Sequence, residues 1–297
     1  MASARNGSKP ARTRIRKQPH PRRAEFFALP VLLELLELLG ETVGQMSFDQ
    51  SAVLPELLAL SHEFGESGLV ILGEGNTSCR VDDQTFFVKS SGSSLQTLTA
   101  NQLTLCRFER LLTLMDRDDV SDGEVETCLL ESRSHSEAFK PSVETFFHAY
   151  LLSQPDINFV GHAHPIQVNR ILCSGLARDF SENRQCPDEI VCCGPLSLLI
   201  PYVDPGLALA KRIRHDVEEF RRTHGKLPRV ILLRNHGVIT IGSSAQAVRA
   251  AMLMTVKAAE IFTGAHLLGG LRHLPASEIE RIENRQDEEY RRKMLRI

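Results

Sequence analysis

Two histidines one residue apart, His162 and His164, close the stretch Phe159-Val-Gly-His-Ala-His-Pro165. The apolar residues Ile157, Phe159 and Val160 ahead of them predict a β-strand, and alternate side chains of a strand share one face. Two imidazoles placed about 6–7 Å apart along such a strand can hold a single ion. Paired strand histidines also occur simply packed or exposed, so the pair alone leaves a metal site and a structural role both open. Pro165 stops the strand pairing and suits the first turn of a helix over 166–172.

Three further groups have chemistry to offer. In Lys140-Pro-Ser-Val-Glu-Thr-Phe-Phe-His-Ala-Tyr-Leu-Leu152, a helix with Ser142 near its cap sets Glu144 and His148 four residues apart on one face. An early helical carboxylate complements the helix dipole; an acid–base role requires it to reach the site of His162 and His164. The turns Gly73-Glu-Gly-Asn-Thr-Ser78 and Lys89-Ser-Ser-Gly-Ser-Ser94 are rich in glycine and hydroxyls. Such turns let the backbone approach a ligand and cradle an oxyanion, or are ordinary hairpin turns. Neither has the spacing of a nucleotide-binding loop. Finally, Arg229-Val-Ile-Leu-Leu-Arg-Asn-His-Gly-Val-Ile-Thr-Ile-Gly242 reads as two strands joined by a tight Asn-His-Gly turn.

The elements that must position these groups follow from periodicity and stop signals. Helices are expected over 28–39, from a cap at Asp49 or Ser51 to about Phe64, over 207–223 and over 245–264. Short strands are expected over 69–72, 79–81, 85–88, 188–193 and 197–200, and a helix or strand-plus-helix over 103–114. Residues 116–126 read as an exposed charged loop, and 277–297 as one amphipathic helix anchored by Ile279, Ile282 and Leu295. No internal repeat is present.

Composition sets the outer bounds. The 297 residues are 42% hydrophobic and 24% charged, with a net charge of −2, as in a globular protein with no electrostatic reason to bind nucleic acid or a membrane. Seven scattered cysteines without a C-x-x-C pair predict buried thiols in a reducing cytoplasm. Residues 1–24 contain Arg and Lys but no acidic residue, and no apolar core that would make a secretory signal. A disordered basic tail is expected there; an organellar transit peptide is the alternative, opposed by Pro10, Pro19 and Pro21.

The order of the short motifs resembles the class II aldolase/adducin family: G-N-x-S (Gly75, Asn76, Ser78), S-G (Ser91, Gly92), P-S-x-E (Pro141, Ser142, Glu144), H-x-H-P and N-H-G. The resemblance spans roughly residues 29 to 268. It implies an α/β fold, three-layer α/β/α with a central, mostly antiparallel sheet. The catalytic domain would occupy 25–275, with the tail at 1–24 before it and a C-terminal helix at 276–297 after it. His162, His164 and His236 would ligate Zn²⁺ or another divalent metal, leaving a fourth position open. Glu144 would be the general acid–base and a resting-state ligand. Asn76, Ser78, Ser91, Gly92 and Ser142 would bind the substrate's phosphate. Val143 replaces a serine found in the family's P-S-S-E wording, and Lys89 would either compensate for the lost hydroxyl or select a carboxylate. Tyr202, in Tyr-Val-Asp-Pro-Gly, would donate a proton into a neighbouring subunit's site within a homotetramer.

The function implied is a zinc-dependent aldolase cleaving a phosphorylated ketose through an enediolate that the ion stabilises. A sugar-phosphate 4-epimerase or an oxo-acid-phosphate decarboxylase are alternatives on the same scaffold, as is a non-catalytic adducin-like scaffold.

Overall fold

Along the strands of this chain, successive apolar side chains belong to two different cores. Val230 and Leu232 enter one, Ile231 and Leu233 the other. The computed structural model describes residues 50–297, so the tail expected over 1–24 and the helix expected over 28–39 lie outside the described residues. The chain runs α1 (Gln50–Glu66), β1 (Asn76–Arg80), β2 (Thr85–Lys89), β3 (Leu103–Arg107), α2 (Phe108–Met115), α3 (Asp122–Ser132) and α4 (Thr145–Leu152). It continues through β4 (Phe159–Ala163), α5 (Ile166–Leu172), α6 (Ala177–Glu182), α7 (Pro187–Cys193), β5 (Leu198–Ile200) and α8 (Leu207–His224). It ends with β6 (Val230–Leu233), β7 (Gly237–Gly242), α9 (Ala245–Leu267), α10 (Ala276–Glu283) and α11 (Gln286–Leu295).

Among the described residues the strands form one seven-stranded sheet in the order β3-β2-β1-β4-β7-β6-β5. Every neighbouring pair is antiparallel except β5 with β6. Helices α1, α5, α6 and α9 cover one face through residues such as Phe64, Leu172, Phe180 and Met252. Helices α2, α3, α4 and α8 cover the other through Leu111, Leu129, Phe146 and Ile213. The result is the expected α/β/α sandwich with a mostly antiparallel sheet. In the inner strands β4, β6 and β7 every residue is buried on whichever side it points, as a sheet covered on both faces requires.

The pairing brings the chemistry to one end of three adjacent strands. Asn76 at the start of β1 lies opposite His162 near the end of β4, and Ala163 lies opposite Val238 at the start of β7. Leu233 pairs with Gly237, so Arg234, Asn235 and His236 form a three-residue hairpin loop at that same end. Asn235 takes the left-handed conformation there at φ 55°, which asparagine tolerates better than most residues.

Four local expectations need correction. Residues 69–72 form a bend, because Leu69 is buried while Leu72 turns outward at φ 54° and is 85% exposed. Residues 188–193 are helical: Pro187 occupies the first turn, Asp188 and Glu189 complement the dipole, and Gly194 ends the helix at φ 81°. A short apolar run does not by itself tell a buried helix from a buried strand. The loop over 116–126 is cut short by a capping box at Ser121 and Glu124, which starts α3. The C-terminal helix is two helices broken at Asn284 and Arg285. Ile282 and Ile279 pack on Ile190 and Val191 as anchors, but Leu295 is exposed and Ile297 packs there instead.

Candidate active site

β4 projects His162 to the face of Val160, while His164 follows just beyond the strand end and the β6–β7 loop supplies His236. The three ring centroids lie 4.8, 5.0 and 5.0 Å apart, and one ligand atom from each falls within 4.8 Å of the others. Gly237 makes the approach of the hairpin feasible. A Cβ at that position would stand 2.6 Å from both the Ala163 carbonyl and His164 Cδ2, and 3.2 Å from His162 Cε1.

The His162 tautomer follows from its surroundings. Nδ1 lies 3.1 Å from the Val238 carbonyl, which can only accept, so Nδ1 carries the proton and Nε2 a lone pair. Burial pushes the ring's pKa down to about 3 against the opposing charge of Glu144, so the imidazole is neutral. Its Nε2 faces His164 Nε2 at 3.0 Å and Glu144 Oε1 at 3.6 Å. His164 is also shifted down, chiefly by burial and then by His236, while the Glu74 carboxylate stands 3.8 Å from its Nδ1.

Glu144 sits at the N-cap of α4, with its backbone N–H donating to Ser142 Oγ at 3.2 Å. Its Oε1 lies 3.3 Å from His236 Nε2, and its Oε2 accepts from Asn76 Nδ2 at 2.7 Å. Burial disfavours the charge of this carboxyl. The imidazoles of His162 and His236 and the Asn76 amide outweigh it, holding the group below its ordinary range and ionised. Neutral imidazole lone pairs and an adjoining carboxylate are the donor set of a divalent cation with a position to spare. The carbonyl partner of His162 Nδ1 supports that ligand from behind.

Three loops converge beside the histidines. Lys89 is buried, and its ammonium donates to the carbonyls of Gly73 at 2.9 Å and Ser93 at 2.6 Å, binding two of them together. Burial lowers its pKa to about 8, with Glu144 pulling the other way. Ser90 bridges to Pro141, and the Ser91 N–H donates to the Lys140 carbonyl, which adds the third loop. Ser91 and Gly92 are exposed and Ser142 half-buried, so these three remain within reach of a ligand.

Ser78, Asn76 and Lys89 sit differently from the sequence expectation. The Ser78 hydroxyl is fully buried against His148, both ends of the Asn76 amide are engaged, and the Lys89 ammonium faces carbonyls. Tyr202 is 57% exposed and donates to Asp204 Oδ1 at 2.8 Å, which raises the phenol's pKa. Its loop touches the site's rim, since a Cβ on Gly206 would meet Val143 at 3.7 Å.

Two contributors were not singled out as site residues from sequence. Asn169 donates to the His236 carbonyl at 3.0 Å and fixes the hairpin. His148 contacts both Asn76 and Ser78; its spacing of four from Glu144 was the available signal.

A buried histidine, two half-buried ones and a carboxylate at the ends of the central strands of an α/β/α sheet define a candidate divalent-metal centre. The profile of the Class II Aldolase and Adducin N-terminal domain family matches residues 55–263. The chain belongs to this family. It is 28% identical over 251 residues to the uncharacterized oxidoreductase YuxG of Bacillus subtilis, covering 78% of this chain and 34% of YuxG, so the chain spans about a third of that relative's length. It is 27% identical over 233 residues to the 3-oxo-tetronate 4-phosphate decarboxylase of Haemophilus influenzae, covering 77% of this chain and 95% of that protein. Among solved structures, the N-terminal class II aldolase domain of a conserved protein from Thermoplasma acidophilum superposes with a TM-score of 0.58 at 27% identity. That match covers 75% of this chain and 99% of the other.

Proposed function

We propose that this chain is a zinc-dependent aldolase that cleaves a phosphorylated ketose. The observation that supports it is the position of Glu144 Oε1, 3.3 Å from His236 and 3.6 Å from His162 while its other oxygen is held by Asn76. An ionised carboxylate beside the three-histidine cluster suits an acid–base group working next to a metal centre. His162, His164 and His236 would hold the ion, with another divalent metal as the alternative to zinc. When bound, the ion would supply a Lewis acid for the negative charge that develops on substrate oxygens as the C–C bond breaks.

The chain's own groups do the rest. Ser91, Gly92 and Ser142 take the phosphate, and the buried Lys89 charge makes their surroundings favourable to an anion. Glu144 carries a proton to and from the carbon left by cleavage. Tyr202 of a neighbouring subunit donates its phenolic proton to the aldehyde oxygen when the C–C bond is made, and a fourfold ring is the assembly proposed to bring it there. The seven free cysteines fit a reducing cytoplasm, and among the described residues no helix is long and apolar enough to cross a membrane.

A second reading, decarboxylation of an oxo-acid phosphate, is favoured by the Haemophilus influenzae relative, which the chain covers almost end to end. The test is a panel of ketose phosphates and oxo-acid phosphates given to purified protein of known metal content. Release of dihydroxyacetone phosphate or glycolaldehyde phosphate, lost on chelation and restored by zinc, is the expected result. Carbon dioxide release instead would establish the second reading, and zinc-loaded protein inert on the whole panel would sink both.

A further inference from the structure

Behind the proposed acid–base group lies a buried line of polar side chains that the reaction does not touch. Ser78, Asn76 and His148 are each almost wholly inaccessible to solvent. Asn76 Nδ2 lies 2.7 Å from Glu144 Oε2, Asn76 Oδ1 is hydrogen-bonded to His148 Nε2, and His148 Nδ1 lies 2.6 Å from Ser78 Oγ. The donors and acceptors along this line are fixed by its end. An ionised carboxylate only accepts, so the Asn76 amide must turn its N–H₂ toward Glu144 and its oxygen toward His148. His148 Nε2 must then carry the proton. In a neutral ring Nδ1 is consequently an acceptor, and Ser78 donates to it.

We propose that His148 is a positioning residue: as the Nε2–H tautomer it locks the Asn76 amide so that one Glu144 oxygen is held and the other faces the histidine cluster. This rests on the reading of Glu144 as the acid–base group. The ring suits the task because burial pushes its pKa down to about 3, so it stays neutral over the working pH range. A protonated ring would donate from both nitrogens without disturbing the lock on Asn76, but it would reverse the Ser78 contact and bury a charge. The line ends at Ser78 inside the protein and includes an amide, so it clamps Glu144 and is not a path for protons. Unlocked, the amide could rotate and present its oxygen to the carboxylate, two acceptors in contact, and Glu144 would lose its fixed orientation.

The experiment has two arms. In the first, the ring nitrogens of ¹⁵N-histidine-labelled full-length protein are observed by NMR, with His148 assigned by its loss in His148→Gln. A single Nε2–H tautomer unchanged from about pH 5.5 to 8 is expected; the Nδ1–H tautomer, a mixture or an imidazolium overturns the proposal. In the second, turnover on the active ketose phosphate is compared for His148→Gln and His148→Leu, each with its zinc content measured. Glutamine retains a donor toward Asn76 and should keep turnover within about threefold, whereas leucine should lose about 10- to 100-fold with zinc retained. Equal losses in the two variants, or none in His148→Leu, overturn it. If leucine does not fold, the glutamine variant and the NMR arm decide. Failure of the substrate panel leaves the NMR arm standing, so loss of the functional reading and loss of this one are told apart.

Discussion

The side chains of the site divide into those that would hold an ion and those that would move a proton, and substitutions separate them. His162 is fully buried with its Nδ1 bonded to Val238, so its Nε2 is the ring atom left to hold an ion. His162→Ala is expected to remove most of the bound zinc and the activity together, as read by metal analysis beside turnover. Glu144→Gln should leave zinc largely in place while turnover falls by roughly two to four orders of magnitude, the loss expected for an acid–base group. Full activity in Glu144→Gln on a confirmed substrate would remove Glu144 from the mechanism. Lys89 shows why residue type alone misleads: expected at the substrate's phosphate, it gives its protons to the Gly73 and Ser93 carbonyls.

At the scale of elements, β4 depends on what packs behind it. His162 and Val160 face one core, and Gly161 faces the other, where Phe64 of α1 and Val248 of α9 press against the backbone. A Cβ on Gly161 would lie 2.7 Å from Phe64 Cε2 and 2.9 Å from Val248 Cγ1. Gly161→Ala should therefore destabilise the fold by about 1–3 kcal/mol, the usual range for overpacking a filled core. Gly123→Ala is the control, because Gly123 lies in α3 with nothing within 4 Å of an added Cβ. It should be neutral or slightly stabilising, since alanine is the better helix former. Urea midpoints measured side by side check both, and equal stabilities for the two variants would contradict this account of β4.

For the whole molecule, buried histidines make stability depend on pH. The folded pKa of His148 is about 3 against an ordinary value of 6.5. Below about pH 6.5 the unfolded chain binds a proton that the folded chain does not, so stability falls as the pH drops toward 3. Each such group steepens that fall by about 1.4 kcal/mol per pH unit. His148→Gln should flatten the slope between about pH 6 and 4 by that amount in urea unfolding, and an unchanged slope would mean that His148 titrates normally when folded. Assembly gives the second prediction at this scale. If Tyr202 works in a neighbour's site, inactive Tyr202→Phe and inactive Glu144→Gln subunits should regain part of the activity when mixed under exchange conditions. Some hybrid sites would then hold an intact Glu144 beside an intact neighbouring Tyr202. A fully active monomer, or no recovery despite proven exchange, would show that Tyr202 does not act in trans.

What could be read from the chain alone was whatever short-range covalent geometry dictates. The strand period put His162 and the apolar core on predictable faces. Pro165 marked the start of α5, and the Asn-His-Gly wording announced a hairpin. The order of motifs then identified the family and with it the sandwich. The sequence could not show which polar groups end up facing one another. Asn76 and His148 are 72 residues apart, and their bond exists only because β1 lies beside β4 with α4 packed across them. Ser78 was expected at the substrate from the family resemblance, in a turn ahead of the strand, whereas it lies within β1 with its hydroxyl buried against His148 of α4. The apolar run at 188–193 became helical because its ends favour a helix and its sides meet α9 and α10, partners that no local pattern specifies. Residue chemistry and period are local properties of the chain, whereas burial and the choice of hydrogen-bond partner arise from contacts between distant segments.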